Sequence, residues 1–183
     1  MPVLSYRFAV AADGPLIVDL VESAYRGEES LRGWTSEAHL VGGQRTDAAM
    51  VSALIDRPGA HVLLAEEVGV LQACCELREP DPVDGVAYFG MFAVRPSLQN
   101  GGYGRLVLGE AERVAREQLG ARVLEMTVLR QREALLAWYE RRGYVRTGEV
   151  RPFPYGDERF GRPKVDDLEF VTLAKPLVAD SPR

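Results

Sequence analysis

The fourteen residues from Phe92 to Arg105, Phe-Ala-Val-Arg-Pro-Ser-Leu-Gln-Asn-Gly-Gly-Tyr-Gly-Arg, constrain the fold more than any other part of the chain. An apolar strand ends here, a glycine-rich turn follows, and an amphipathic helix begins. Successive main-chain N–H groups in such a turn form a concavity that binds anions, and the positive end of the helix dipole adds to it. Gly101, Gly102 and Gly104 would let a phosphate approach closely. The same letters also fit an ordinary helix start after a flexible turn.

Two common phosphate-binding motifs do not match these letters. A P-loop needs Gly-Lys-Ser/Thr, whereas Gly104 is followed by Arg105 and Leu106. A dinucleotide fingerprint needs a third glycine where this chain has Val107.

Apolar periodicity on either side of the turn predicts a mixed α/β fold of the α+β type. Alternating runs predict strands at Tyr6–Val10, His61–Glu67, Val70–Arg78, Val86–Val94, Arg122–Leu129, Tyr144–Val150 and Leu168–Leu177. Helical spacing predicts helices after the caps Asp13 and Asp47, and at Tyr103–Leu119 and Glu133–Arg142. We expect one three-layer domain over residues 1–177, with right-handed crossovers and a frayed tail at 178–183.

Charge and cysteine usage exclude several classes of function. A formal charge of -5 argues against a general nucleic-acid binder. Cys74 and Cys75 are adjacent, and His39 and His61 have no ligand spacing around them, so we expect no metal site and a reducing cytoplasm. The sequence also shows no signal peptide and no long apolar run, which predicts no membrane partner.

The turn resembles the signature of the GNAT superfamily of acyl-CoA-dependent N-acetyltransferases, Gln/Arg-x-x-Gly-x-Gly/Ala after a strand that ends in Val-x-Pro. Gln99–Gly104 matches this signature, and Val94–Pro96 stands at the expected distance. A second segment, Trp138–Tyr144, resembles the aromatic-Tyr-Glu-x-x-Gly-Phe/Tyr element that closes the next helix in this family. Two motifs in the expected order are far more specific than either alone.

The resemblance implies a mostly antiparallel sheet, with helices on both faces, that splays between its fourth and fifth strands. Acetyl-CoA would be the acyl donor, with its pantetheine arm in the gap and its pyrophosphate on the amides of the turn. Arg132 would either contact pantetheine or face solvent at a helix start. The cofactor-binding residues implied are Phe92, Ala93, Val94, Gln99, Asn100, Gly101, Gly102, Tyr103, Gly104, Arg105 and Arg132.

For catalysis, the resemblance implies that Tyr139 is the general acid for the departing thiolate; the alternative is a tyrosine that packs one helix face. The general base is less defined, because the family's strand glutamate aligns with Tyr88, and tyrosine is a poor base at neutral pH. Glu125, within an apolar strand, is the candidate carboxylate. A water relay, or an amine already deprotonated, would remove the need for a base.

The acceptor is expected at two irregular stretches, Tyr25–Glu37 and Arg151–Gly161, which mix aromatic residues with carboxylates. Their candidate substrate-binding residues are Tyr25, Trp34, Glu37, Tyr155 and Phe160. Glu37 could pair with a cationic amine. Arg45 could instead bind a carboxylate, so amino acids also remain possible acceptors.

The function predicted is transfer of acetyl from acetyl-CoA to a primary amine of a small molecule or peptide, by direct attack in a ternary complex. No nucleophilic Cys or Ser motif supports a covalent acyl-enzyme. The alternative is a non-catalytic acyl-CoA-binding or regulatory module that keeps the cofactor cradle. The sequence leaves open whether the protein forms a homodimer.

Overall fold

The computed structural model describes residues 2–177, which form both β-strands and α-helices. The strands are β1 (Ser5–Phe8), β2 (Val41–Gly42), β3 (Ala60–Glu67), β4 (Val70–Arg78), β5 (Val86–Val94), β6 (Val123–Leu129), β7 (Val145–Pro152), β8 (Arg162–Pro163) and β9 (Glu169–Pro176). The helices are α1 (Gly14–Tyr25), α2 (Gly27–Ser30), α3 (Ala48–Ile55), α4 (Tyr103–Glu117) and α5 (Glu133–Glu140). The predicted frayed tail at 178–183 lies outside the described residues.

Seven strands form one mixed sheet in the order β1-β3-β4-β5-β6-β9-β7. The β5–β6 pair is parallel and joined through α4, while the other neighbours in this sheet are antiparallel. The mixed fold predicted from the sequence is confirmed, and β5 and β6 are its fourth and fifth predicted strands. The sequence did not predict β2 and β8, which pair with each other, because two residues are too short to show a period.

Helices cover both faces of this sheet, as predicted. Cys74 and Cys75 show how β4 separates the layers, because successive side chains of a strand point to opposite faces. Cys74 packs with the buried residues of α1 and α3, whereas Cys75 packs with those of α4 and α5. No helix among residues 2–177 is long and apolar enough to cross a bilayer.

The sheet opens between β5 and β6. These strands pair only from Val86 opposite Val123 to Tyr88 opposite Glu125. Further along β5, a bulge places two residues, Met91 and Phe92, opposite the single residue Cys75 of β4. Met91 has a φ of 43°, and a bulge of this kind bends its strand. The main chain from Phe92 to Val94 therefore has no strand neighbour on the β6 side.

Candidate functional site

The gap between β5 and β6 contains two adjoining chambers. The turn chamber has a volume of about 400 Å³ and is lined by the glycine-rich turn and by α5. The arginine chamber has a volume of about 250 Å³ and is lined by β5, β6 and the segment after α1. The residues common to both linings are Tyr25, Phe92, Arg132, Leu135 and Tyr139. A molecule bound in one chamber can therefore meet a molecule bound in the other.

The turn presents unpaired main-chain donors at the start of α4. The first hydrogen bond of this helix runs from the N–H of Leu106 to the carbonyl of Gly102, at 3.2 Å. Among the described residues, the N–H groups of Gly102, Tyr103 and Gly104 donate to no main-chain carbonyl. Gly102 has a φ of 86°, and a Cβ built on it would meet nothing within 4 Å. These donors and the open space beside them suit an anion at a helix N-terminus.

Arginines surround the turn chamber. Arg105, Arg141 and Arg142 line it, together with Trp138. The Arg142 guanidinium lies 3.6 Å from the centroid of the Trp138 ring and donates to the Trp138 carbonyl at 2.7 Å. Its Nε is buried without a hydrogen-bond partner. Burial, followed by the charges of Arg141 and Arg105, lowers the pKa of Arg142. A bound polyanion would relieve this repulsion.

Gln99 ties the turn to the segment after α1. Its Oε1 accepts hydrogen bonds from the N–H of Trp34 at 2.9 Å and of Thr35 at 3.3 Å. Its Nε2 donates to the Thr35 hydroxyl at 2.8 Å and to the Val94 carbonyl at 3.2 Å. The Gln99 side chain therefore positions the chamber wall, and the Val94 carbonyl accepts a side-chain donor instead of a strand neighbour.

Tyr139 lies where the chambers meet. Its ring packs edge-on against Trp138 and Tyr144, at centroid distances of 5.0 and 5.7 Å. The Tyr139 hydroxyl forms no hydrogen bond with another described residue. Burial raises the pKa of Tyr139 well above its usual value, so the hydroxyl keeps its proton at neutral pH. In contrast, the Tyr25 hydroxyl donates to the Phe92 carbonyl at 2.5 Å. Tyr139 therefore offers an uncommitted donor to the gap.

A buried ion-pair network crosses the arginine chamber. Glu37 accepts from Arg26 at 2.9 Å and from Arg132 at 2.6 Å. Arg132 also donates to the carbonyl of Thr35. Burial would raise the pKa of Glu37, but Arg132, Arg45 and Arg26 together hold it below its usual value. Among residues 2–177, no group of three or more His, Cys, Asp and Glu side chains could hold a metal ion.

Comparison with known proteins identifies the family to which this chain belongs. The sequence model of the Acetyltransferase (GNAT) family matches residues 24–144. The chain belongs to this family. It is 30% identical over 150 residues to the S-(2-succino)cysteine N-acetyltransferase of Bacillus subtilis (strain 168). This alignment covers 79% of this chain and 86% of that protein. The chain is therefore an acyl-CoA-dependent N-acetyltransferase, as the sequence motifs predict.

Solved structures of GNAT proteins share the fold. A putative GNAT acetyltransferase from Desulfovibrio desulfuricans superimposes with a TM-score of 0.69 at 19% identity, over 96% of this chain and all of that chain (100%). The spermidine/spermine N-acetyltransferase SpeG from Vibrio cholerae superimposes with a TM-score of 0.66 at 17% identity, over 95% of this chain and 92% of that chain. At these identities the likeness shows the fold alone.

The acetyltransferase brings most of the predicted cofactor residues to the turn chamber. Tyr103 differs, because its hydroxyl donates to Glu67 at 2.7 Å at the end of the β3–β4 hairpin. Ala93 is buried against α1, and neither it nor Gly101 lines a chamber. The predicted residues that do line the turn chamber are Phe92, Val94, Gln99, Asn100, Gly102, Gly104, Arg105 and Arg132. Arg132 is buried in the Glu37 network instead of facing solvent.

The predicted catalytic and acceptor residues divide between the two chambers and the surface. Glu125 lines neither chamber, and the nearest cation is Arg151 at 3.8 Å. Tyr155 also lines neither chamber, because its hydroxyl donates to the Val165 carbonyl and accepts from the N–H of Leu168. Trp34 lines only the turn chamber, with its ring 6.4 Å from Trp138. The acceptor candidates that line the arginine chamber are Tyr25, Glu37 and Phe160.

Sequence reasoning missed the arginines that complete the site. Arg141 and Arg142 stand inside the second motif at positions where its letters are unspecified, so the adjacent pair of cations was the available signal. Arg26 gave no signal, because its role depends on contact with Glu37, which lies eleven residues further along the chain.

Proposed function

We propose that this enzyme binds acetyl-CoA in the turn chamber and receives a small-molecule amine in the arginine chamber. The observation that carries this assignment is the position of Tyr139, which lines both chambers with an uncommitted hydroxyl. A chamber of about 250 Å³ enclosed by side chains suits a small acceptor.

The turn chamber fits the anionic part of the donor. The free N–H groups of Gly102, Tyr103 and Gly104 would hold the pyrophosphate at the start of α4. Arg142, which lines this chamber, would pair with a phosphate oxygen through its guanidinium. The edge of β5 from Phe92 to Val94, which has no strand neighbour on the β6 side, would hold the pantetheine arm.

When bound, acetyl-CoA supplies a thioester carbon, to which the amine nitrogen bonds while the carbon–sulfur bond breaks and the sulfur leaves as thiolate. Tyr139 donates a hydrogen bond toward the departing sulfur. The burial that raises the pKa of Tyr139 keeps this proton in place and prevents the residue from acting as the base.

The amine nitrogen must also lose a proton. Among the described residues that line the chambers, no carboxylate without an ion pair is present to accept it. Glu37 is the carboxylate in these linings, and two arginines hold its charge. The acceptor therefore either enters as the free amine or releases its proton to water. Activity should rise with pH as the acceptor amine loses its proton.

The variant Tyr139→Phe tests this assignment. It should lower the single-turnover rate of CoA release about 100-fold, because removal of one preorganised donor to developing negative charge costs roughly 10²–10³-fold. The Kd for acetyl-CoA should stay within about two-fold, because a contact made only in the transition state does not contribute to binding of the ground state. Tyr144→Phe is the matched control, because Tyr144 is buried in the same aromatic cluster but bonds to Glu112 and lines neither chamber.

An unchanged single-turnover rate in Tyr139→Phe would return this residue to a packing role. A protein that fails to bind acetyl-CoA by calorimetry would contradict the proposed function as a whole. The similar proteins leave the acceptor open, because one is named for S-(2-succino)cysteine and another for spermidine and spermine. The first of these names is that of a cysteine derivative, and the second is that of polyamines.

A further inference from the structure

We propose that the acceptor is an amine that also carries a carboxylate, as an amino acid does, and that Arg45 and Arg26 bind this carboxylate in the arginine chamber. The inference rests on the proposed function, because it assigns the acceptor of the same site. It replaces the expectation that Glu37 pairs with the charge of a cationic acceptor.

The charges of the arginine chamber do not balance. Three arginines line it, Arg26, Arg45 and Arg132, against one carboxylate, that of Glu37. Arg132 and Arg26 already share both oxygens of Glu37. The chamber therefore has two positive charges more than its own side chains neutralise. Partly buried charge of one sign is unfavourable until a counter-ion arrives, so the chamber favours an anion.

Arg45 is the cation of this set without a carboxylate of its own. Its guanidinium forms no hydrogen bond or ion pair with any residue from 2 to 177. Its contact is the face of the Tyr25 ring, at 5.3 Å from the guanidinium carbon to the centroid. The main-chain N–H groups of Arg45 and Thr46 donate to Glu22 at 2.6 and 2.7 Å. Arg45 is therefore anchored through its backbone, with the guanidinium left to bind a ligand.

Arg26 offers a second donor from the buried side. Its side chain is 6% exposed, and its Nε is buried without a partner. Two N–H groups along one edge of a planar guanidinium can bind both oxygens of a carboxylate. Arg26 uses Nη1 for Glu37 and for the Tyr25 carbonyl, and its Nε has no acceptor among the described residues. Because Arg26 lines the chamber, its charge adds to that of Arg45 in attracting a carboxylate.

Most of the other lining residues are apolar or aromatic. Phe153, Phe160 and Phe170 contribute rings, and Met91 contributes its side chain at the bulge of β5. Such a wall suits the apolar portion of an amino-acid side chain. A polyamine would instead bring further positive charge toward Arg45, which like-charge repulsion opposes. The carboxylate near Arg45 would leave the amine free to reach the gap at Tyr139.

The test compares acceptors that differ only in the carboxylate. Each of the common L-amino acids and S-substituted cysteines is assayed beside its own decarboxylated amine. Spermidine and aminophosphonates complete the panel. The measurement is CoA release from acetyl-CoA. We expect kcat/KM to favour a carboxylate-bearing acceptor over its decarboxylated partner by at least about ten-fold, as one lost charge-assisted hydrogen bond implies. Arg45→Gln should raise the KM of that acceptor about ten-fold and leave the KM of the decarboxylated amine within about two-fold.

Two variants control this experiment. Arg45→Lys keeps the charge but not the planar fork, and should recover part of the preference. Arg162→Gln removes an arginine with a 74% exposed side chain that lines neither chamber, and should keep the whole preference. Calorimetry with acetyl-CoA shows that each variant is folded and binds the donor.

The remaining outcomes overturn one assignment or the other. If acetyl-CoA binds but no carboxylate-bearing amine is acetylated, or decarboxylated amines or spermidine are preferred, the acceptor assignment is wrong. A preference for aminophosphonates would show that the chamber binds a phosphonate instead of a carboxylate, and would overturn the acceptor assignment as stated. A preference that Arg45→Gln leaves intact would remove Arg45 from the site. Failure to bind acetyl-CoA would instead reject the proposed function, and the acceptor assignment would fall with it.

Discussion

The Glu37 carboxylate accepts a hydrogen bond of 2.6 Å from the Arg132 guanidinium, which lies 95 residues further along the chain. This contact joins the segment after α1 to the start of α5, the helix that carries Tyr139. Because Arg26 binds the other oxygen of Glu37, the contact fixes one wall of both chambers. Glu37 therefore has a structural role in the site, and its charge is already satisfied.

Replacement of this carboxylate should mainly reduce stability. Glu37→Gln leaves Arg26 and Arg132 buried without their counter-charge, and should cost about 3 kcal/mol of the free energy of unfolding. At roughly 2–4 °C per kcal/mol for a chain of this size, Tm should fall by about 6–12 °C. Glu158→Gln is the control, since its side chain is 78% exposed and 3.7 Å from Arg162. Equal melting temperatures for both variants would contradict the network.

The open space beside Gly102 should matter for donor binding. Gly102→Ala places a Cβ in the turn chamber at a φ of 86°, and should raise the Kd for acetyl-CoA about ten-fold by blocking the approach of a phosphate. Gly109→Ala, within α4, is the control for added side-chain volume, because its Cβ also meets nothing within 4 Å. That control should stabilise α4 by up to about 1 kcal/mol and leave the Kd unchanged. Calorimetry that gives one Kd for both variants would exclude the turn as the phosphate site.

Trp34 should act on the donor, because it lines the turn chamber beside Trp138. Trp34→Ala should raise the KM for acetyl-CoA about three- to ten-fold, given that an aromatic contact contributes roughly 0.5–1.5 kcal/mol. The KM of the acceptor should change little, in contrast to the acceptor role that the sequence suggested. Tyr155→Phe, outside both chambers, should leave both constants unchanged. Steady-state kinetics with each substrate varied would reveal the opposite pattern if Trp34 contacts the acceptor.

The two cysteines should be inert in the native protein. Both are fully buried, and burial raises the pKa of Cys74 to about 12 and that of Cys75 well above its usual value. At pH 8 roughly one Cys74 thiol in ten thousand would be ionised, so alkylation should be slow. Iodoacetamide should leave activity intact and label both residues only after unfolding in guanidinium, as mass spectrometry can measure. Rapid labelling with loss of activity would point to an acyl-cysteine route instead of direct attack.

An acidic pH should weaken the contact between β1 and the turn before α1. Arg7 donates to both oxygens of Asp13 at 2.7 Å, which, with the N–H of Val10, lowers the pKa of that carboxyl. Because the pKa of Asp13 is lower in the folded than in the unfolded protein, this stabilisation is present above the unfolded pKa of about 4. It is lost as the pH falls through the folded pKa. Asp13→Asn should therefore melt lower than wild type at pH 7, and the difference should shrink below about pH 4. A difference that is the same at both pH values would argue against the ion pair.

The sequence alone determined the elements that depend on local order. Alternation along Val86–Val94 and helical spacing after Tyr103 predicted β5 and α4, because burial of one face repeats with the period of the backbone. The turn could be read for the same reason, since its anion-binding groups are successive main-chain amides. The tertiary structure decided what the acceptor chamber contains. Arg26, Glu37, Arg45 and Arg132 come together only when the segment after α1 packs against α5. Ion pairing depends on distance in space, and no periodicity in the chain records which carboxylate will neutralise which arginine.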